Sequence, residues 1–298
     1  MTSITTDEPV GTVATPAARA RPRRRRKRRA GSNILALVVS VIWLFPVYWM
    51  VLTSFKQRWD VLSATPAFLP ENPTLQNYAN ALTQTTFFTN LKNSVVVVGL
   101  TLIFAILLAL FASAALTRFR FRGRKIILVV ILAVQMLPGT ALLIPQFLVF
   151  NQLGLLNQYG GLILAYVAAT LPFSIWVMRG FFLAIPREVE EAAEVDGAST
   201  WTIMWRVLFP LVAPGVIASS VFSFIAAWND YLVAYVFMKD QTMYTLPVWL
   251  ASFQVPNQPT DYASQMAASV IFSLPAVIFF LIIQRNLVTG MSAGAVKG

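Results

Sequence analysis

"EAAEVDGASTWTIMWRVLFP" (residues 191–210) is a polar interruption in a chain that is 57% hydrophobic. With the preceding "PREVE" (186–190), it holds five of the chain's 12 acids within residues 186–200, while long apolar runs lie on both sides. Pro186 suits the first turn of a helix, and the acids that follow complement the positive end of its dipole. Gly197 is placed to end that helix in a left-handed conformation. Ser199 or Thr200 then caps a second short helix, "WTIMWRV" (201–207), leading into Pro210. Glu188, Glu191 and Glu194 recur every three residues and share one side, and Ala192 and Ala193 offer a flat patch for another backbone. A helix resting on the inner leaflet should be basic, because that leaflet is anionic. This one is acidic, so a protein partner with basic or amide groups explains it better than lipid does.

Charged residues make up only 12% of the chain, against about 25% in soluble domains. Too few polar side chains remain to cover a water-facing surface, and the expected class is an all-α integral membrane protein. Cysteine and histidine are both absent. That excludes disulfides, thiolate chemistry, His/Cys zinc sites and Ser/His/Asp triads. No Gly-Lys-Ser/Thr stretch occurs, so there is no P-loop for nucleotide. The chain is expected to catalyse nothing itself and to hold no cofactor or metal.

The net charge of +11 comes mostly from "ARARPRRRRKRR" (18–29), which supplies nine of the 23 basic residues. A nucleic-acid arm is one reading of such a run. A cytoplasmic tail held near anionic headgroups is the other, favoured by the apolar stretch that starts at Ile34. No nucleic-acid partner is expected, and residues 1–33 are expected to be a disordered basic tail. The run that follows is too long for a signal-peptide core and lacks an A-x-A exit, so 34–55 reads as a retained first span.

Six runs reach the roughly 20 residues needed to cross a bilayer: 34–54, 94–116, 126–150, 159–178, 207–238 and 262–283. Prolines 46, 138, 145, 172, 214 and 275 lie inside them, which predicts kinked helices around a pathway. With the N-terminus inside, cytoplasmic segments carry 19 basic residues and external ones 4, so both termini are expected in the cytoplasm. The outer segments 56–90 and 239–261 read equally as linkers or as contacts for a partner or ligand.

The spacing Glu-Ala-Ala, three residues, Gly, nine residues, Ile-x-Leu-Pro is the pattern of the EAA loop of ABC-importer permeases. Glu191, Ala192, Ala193, Gly197 and Pro210 match it, with Val207 and Phe209 replacing Ile and Leu. "FPVYWMVLTSFK" (45–56), "NPTLQNY" (72–78), "AWNDYLVA" (227–234) and "QRNLVTGMSAGAVKG" (284–298) extend the likeness over nearly everything from Ile34 onward. The chain resembles the second permease subunit of maltose-type carbohydrate importers, binding-protein-dependent inner-membrane components.

That resemblance implies a type I ABC importer permease fold with six transmembrane helices. It implies a permease core over 91–285, a coupling loop at 186–206 and a cytoplasmic tail at 286–298. It further implies a multi-pass protein of a prokaryotic cell membrane, paired with a second permease chain in a heterodimer. Two ATPase subunits, which carry ATP and Mg, would lie below, and an extracytoplasmic sugar-binding protein above. In the family the EAA loop fits a cleft of the ATPase and transmits its closure, and the pore then turns outward to accept sugar. The tail reaches between the two ATPases, which makes Gly290, Gly294 and Lys297 candidate contacts. A frayed terminus is the alternative for that small and flexible segment. Trp228, Asn229, Asp230 and Tyr231 form the densest polar–aromatic cluster in any run. They read either as sugar contacts or as an interfacial aromatic belt with a helix–helix hydrogen bond.

Two other readings differ in class. An ion-coupled transporter would place several ionisable groups mid-membrane and show internal repeats, whereas only Asp230 qualifies and no repeat is visible. A non-transporting scaffold subunit leaves the EAA spacing unexplained.

Because the chain has no cysteine, introduced thiols report its orientation. Ser252→Cys should react with an impermeant reagent applied from outside, and Ser199→Cys should not. External labelling at position 199 would overturn the orientation.

Overall fold

A bilayer offers no water to backbone amides and carbonyls, so apolar runs must satisfy them internally. In the computed structural model, which describes residues 24–83, 86–253 and 260–295, the chain answers with helices, and no strand occurs among the described residues. In order they are α1 (Arg24–Ser54), α2 (Arg58–Val61), α3 (Gln76–Leu82), α4 (Phe87–Arg118), α5 (Arg124–Gln135), α6 (Gly139–Gln152) and α7 (Tyr159–Ala184). There follow α8 (Glu188–Val195), α9 (Thr200–Ile203), a π-helical turn (Met204–Leu208), α10 (Phe209–Leu211), α11 (Ala213–Trp228), α12 (Leu232–Phe237), α13 (Leu246–Ala251) and α14 (Tyr262–Ala295). The chain divides into two units, Met1–Trp49 and Met50–Gly298.

Four stretches are continuous helices long and apolar enough to cross a membrane: Gly31–Ser54, Phe87–Arg118, Tyr159–Ala184 and Tyr262–Gln284. The other two expected spans are broken. α5 and α6 meet at 102°, and the segment Thr200–Leu211 meets α11 at 66°. Counting each bent pair as one span gives six.

Prolines decide only some of these breaks. Pro138 (φ −65°, ψ 123°) is extended and begins α6 without an N–H, which ends α5 just before it. Pro214 sits in the first turn of α11, where no intrahelical donor is needed. Pro46, Pro145, Pro172 and Pro275 ride inside unbroken helices. The fifth run breaks a second time after Trp228. The Asn229 side chain there donates to Ile225 O at 2.9 Å, and Asp230 accepts from Ala234 N at 3.0 Å. These two polar side chains end one helix and start the next, as such residues do when they compete with backbone partners.

The second unit is organised around α4 and α7. Small residues line their contact, with Ala105, Ala109 and Ala114 of α4 and Ala165 of α7 all buried, which lets the helices approach closely. Buried hydroxyls return to their own helix, Thr170 to Tyr166 O at 2.9 Å and Ser174 to Thr170 O at 3.0 Å. α11 closes on α7 at Gly215, where a Cβ would fall 2.6 Å from the Phe181 ring.

The segment after α1, through α3, folds back against the last residues of α1. Asn77 Nδ2 donates to Ser54 O and Lys56 O, both at 2.8 Å. The buried Lys56 ammonium donates to Ala67 O at 2.7 Å. Two of the stretches quoted above therefore meet, Ser54–Lys56 of the first against Thr74 and Asn77 of the second.

At the other end α14 continues past Arg285 to Ala295 and takes in Gly290 and Gly294, where a flexible tail was expected. Leu287, Val288, Met291, Ala293 and Ala295 are compatible with helix extension, which is easy once a helix is nucleated. Lys297, the third candidate tail contact, lies outside the described residues, as does the basic stretch up to residue 23.

Glycine at 161 is demanded by space, since a Cβ there would fall 2.0 Å from Leu155 O, whereas a Cβ at Gly99 would meet nothing within 4 Å. Gly161→Ala should destabilise the detergent-solubilised protein by about 1–3 kcal/mol, the usual cost of overpacking. Gly99→Ala should leave the melting temperature unchanged or slightly raised, as glycine is the poorer helix former. Thermal unfolding of the two variants side by side checks this.

Candidate functional site

Three acids stand in the first turn of α8, and none of its residues is buried. Pro186 lies just ahead of it, with Arg187 already helical (φ −68°, ψ −27°), so the proline precedes the first turn rather than sitting in it. Gly197 has φ +80°. Its N–H reaches Glu194 O and that of Ala198 reaches Ala193 O, both at 3.0 Å. This pair of bonds is the Schellman closure, and it needs a left-handed residue at position 197. Ser199, rather than Thr200, caps the next helix, accepting from Thr202 N at 3.3 Å.

The second helix is shorter than the expected 201–207. α9 ends at Ile203, and the chain widens into the π turn, where Phe209 N–H reaches back to Met204 O. Pro210, next along, has no N–H to continue the ordinary ladder. Trp201, Trp205 and Phe209 form a ring ladder, with centroids 5.7 and 4.8 Å apart. Phe111 of α4 stacks edge-on against Trp205 at 6.0 Å and Phe209 at 5.6 Å.

This arrangement separates residues that the sequence groups together. Glu188, Glu191, Ala192 and Glu194 are exposed, with Val195 at 88% and Trp201 at 65%. Ala193 is half-buried and packs with Ala198 on the core beneath. The two alanines therefore do not make one flat patch, because successive helical side chains point about 100° apart. Glu190 turns inward to Arg118 of α4, Nε to Oε1 at 2.8 Å. Gly197 forms the bend, and Pro210 lies well beyond it in α10.

Between α5–α6, α7, α11 and α12 lies a cavity of about 840 Å³. It is walled mainly by apolar side chains, among them Phe173 and Phe222, whose rings lie 3.8 Å apart. Gln135, Thr140, Gln146, Tyr166, Thr170 and Asp230 supply its polar groups. Asp230 accepts from Tyr166 Oη at 2.8 Å as well as from Ala234 N. A cavity of this size, mostly apolar with a few convergent polar groups, has the character of a small-molecule site.

Of the four clustered residues 228–231, only Asp230 lines this cavity. Trp228 is buried, stacked on Phe224 and Phe272 at 5.5 and 5.8 Å, with its indole N–H toward Phe272 O at 3.4 Å. Asn229 is spent on its own helix, and Tyr231 stacks on Tyr235 at 5.4 Å. Gln135, Gln146 and Tyr166 went unnoticed in the sequence. Their signal was available, since each is a polar group inside an apolar run.

Residues 102–293 match the family described as binding-protein-dependent transport system inner membrane component. The chain is 38% identical to the diacetylchitobiose uptake system permease protein DasC of Streptomyces coelicolor, over 91% of this chain and 98% of that one. It is 35% identical to the trehalose/maltose transport system permease protein MalG of Thermococcus litoralis, over 88% and 95%. A chain of a bacterial ABC transporter involved in the import of the acidic polysaccharide alginate shares the fold, with TM-score 0.77 and 24% identity over 90% of this chain and 99% of that chain. On this family match, the two permease relatives and the shared helical fold, the chain belongs to the binding-protein-dependent inner-membrane components, among the carbohydrate ABC importer permeases.

Proposed function

We propose that this subunit forms half of the pore of an ATP-driven importer for disaccharide-sized sugars and that α8 couples ATPase closure to alternating access. The observation that carries the reading is the exposed acidic helix. The EAA spacing falls on a short helix with no buried residue, closed by a left-handed glycine and turned back into the membrane body by a capped second helix. Glu188, Glu191 and Glu194 would meet basic or amide groups of an ATPase subunit, and the exposed Val195 and Trp201 would supply apolar anchors at the same surface.

A push on α8 passes through the Gly197 bend into α9. The ring ladder of Trp201, Trp205 and Phe209 then carries it to Phe111 of α4. The chain performs no bond chemistry in this scheme and biases a two-state element instead. ATP and Mg belong to two partner ATPase subunits, a second permease completes a heterodimer, and an extracytoplasmic binding protein delivers the sugar. Both termini lie in the cytoplasm, and the end of α14 with Gly290 and Gly294, continued to Lys297, reaches toward the ATPases.

The 840 Å³ cavity is this subunit's share of the pathway. Polar groups at membrane depth are costly unless they face water, a ligand or one another. Gln135, Gln146 and Asp230 offer amide and carboxylate partners to sugar hydroxyls, and Phe173 and Phe222 offer an apolar face. Disaccharides are the substrate class because the relatives' names specify diacetylchitobiose and trehalose or maltose.

The test uses the complete complex in proteoliposomes, with radiolabelled maltose, trehalose and diacetylchitobiose as probes. Gly197→Val forces a β-branched residue into a left-handed bend, at a cost of roughly 1–3 kcal/mol. It and Glu191→Lys should insert normally, lose transport and bind the ATPase more weakly. Full transport by both would sink the coupling role. Gln135→Leu with Gln146→Leu should raise the KM for sugar uptake while leaving ATPase association intact. An unchanged KM would remove the cavity from the pathway.

A further inference from the structure

One acid of α8 does not belong to its exposed surface. Glu190 and Arg118 have side-chain exposures of only 19% and 9%, and their charged atoms lie 2.8 Å apart. The same guanidinium donates from Nη2 to Ile185 O at 3.2 Å, the carbonyl of the residue that closes α7. One cation in the last turn of α4 thus holds both ends of the link between α7 and α8. The placement suits the dipoles. Arg118 stands where α4 and α7 present unpaired carbonyls, and Glu190 stands in the first turn of α8. The guanidinium meets the carboxylate as a close ion pair whose Nε–H is not aligned on Oε1, while its Nη2 makes the hydrogen bond to the carbonyl.

Little else seats α8. It has eight residues, none of them buried, and it touches the core beneath mainly through Ala193 and, past the bend, Ala198. Arg187 borders the same small hollow as Glu190, Glu191 and Glu194, yet among the described residues only Arg118 comes within ion-pair distance of an α8 acid. Glu191 and Glu194 are left exposed.

We infer that Arg118 is a positioning residue whose ion pair with Glu190 pins the coupling helix to α4, so that the two move as one lever. This rests on the coupling role proposed above for α8. Without the pin, closure of an ATPase would rock a short, lightly seated helix instead of shifting α4, and ATP would be hydrolysed without transport.

The experiment compares Arg118→Met, Glu190→Gln and the charge swap Arg118→Glu with Glu190→Arg in the reconstituted complex. Maltose, trehalose and diacetylchitobiose are again the probes. One readout is ATP hydrolysed per sugar imported. Another is the distance between spin labels at Leu108→Cys and Asp196→Cys, two exposed positions in a cysteine-free chain. The single variants should keep the ATPase subunits bound, broaden the label distance and raise ATP per sugar about fivefold, the low end of ordinary coupling. The swap should restore both readouts toward the unsubstituted complex. Glu190→Gln keeps the shape of the side chain and carries the test if Arg118→Met fails to fold. Unchanged ATP per sugar and an unchanged label distance in the single variants would overturn the pin. Glu191→Lys in the same preparation separates the two readings. If it sheds the ATPase while the pin variants behave as wild type, only the pin falls. If it keeps both the ATPase and transport, the coupling role falls too.

Discussion

A backbone inside a bilayer must find every hydrogen-bond partner within the protein, and this requirement shapes each departure from a straight helix here. At the α5–α6 bend, Met136 N and Leu137 N fold back to Ala133 O and Val134 O at 3.1 and 3.2 Å, and Ala141 N takes up Pro138 O at 3.0 Å. At the start of α11, Val212 N bonds Leu208 O and Gly215 N bonds Val212 O, at 3.0 and 2.8 Å. At 229–231 the Asp230 carboxylate takes up Ala234 N, while Ile225 O accepts from both the backbone N–H and the side chain of Asn229. Both the α5–α6 bend and the 229–231 break border the cavity. The turns that make room for it are the ones whose backbone has been satisfied locally.

α4 is the rod on which the second unit is mounted. Its 32 residues span about 48 Å at 1.5 Å per residue. Near its N-terminal end Asn93 donates to Thr242 O and Tyr244 O at 2.8 Å and accepts from Tyr159 Oη at 2.6 Å, while Ser94 accepts from Leu246 N at 2.7 Å. These bonds fasten the segment after α12 and the start of α7 to one helix. At its C-terminal end the Arg118 pair fastens α8. Between the two ends the buried contacts are mainly apolar; Ser174 and Ser223 meet at 3.2 Å, whereas the buried hydroxyls of Thr101 on α4 and Ser219 on α11 have no hydrogen-bond partner. A long helix gripped by polar contacts at both ends and smooth between them is suited to moving as a body, because packed interfaces shift between discrete arrangements rather than deform continuously.

What was legible in the sequence was what acts over a few residues or over composition. The scarcity of charge placed the chain in a membrane, and the long apolar runs located its spans. The bend at Gly197 and the cap at Ser199 or Thr200 could be anticipated because both bond only to residues within the next turn or two. The EAA spacing, being linear, marked the segment for which a coupling role is proposed. Which prolines break a helix was not legible. Pro138 and Pro145 look alike in sequence, yet one ends α5 and the other lies inside α6, since the outcome depends on whether surrounding elements take up the freed carbonyls. Nor was the division of labour between neighbours, with Glu190 turned inward and Glu191 outward, Ala193 seated and Ala192 free, Asp230 in the cavity and Trp228 in the core. Each of those pairs is adjacent or nearly so in the chain, and only the packing of α4, α7, α11 and α14 around them decides which member meets solvent, cavity or partner. Capping and composition are local properties that a linear chain carries with it, whereas facing is a relation between helices, and it exists only once they have packed.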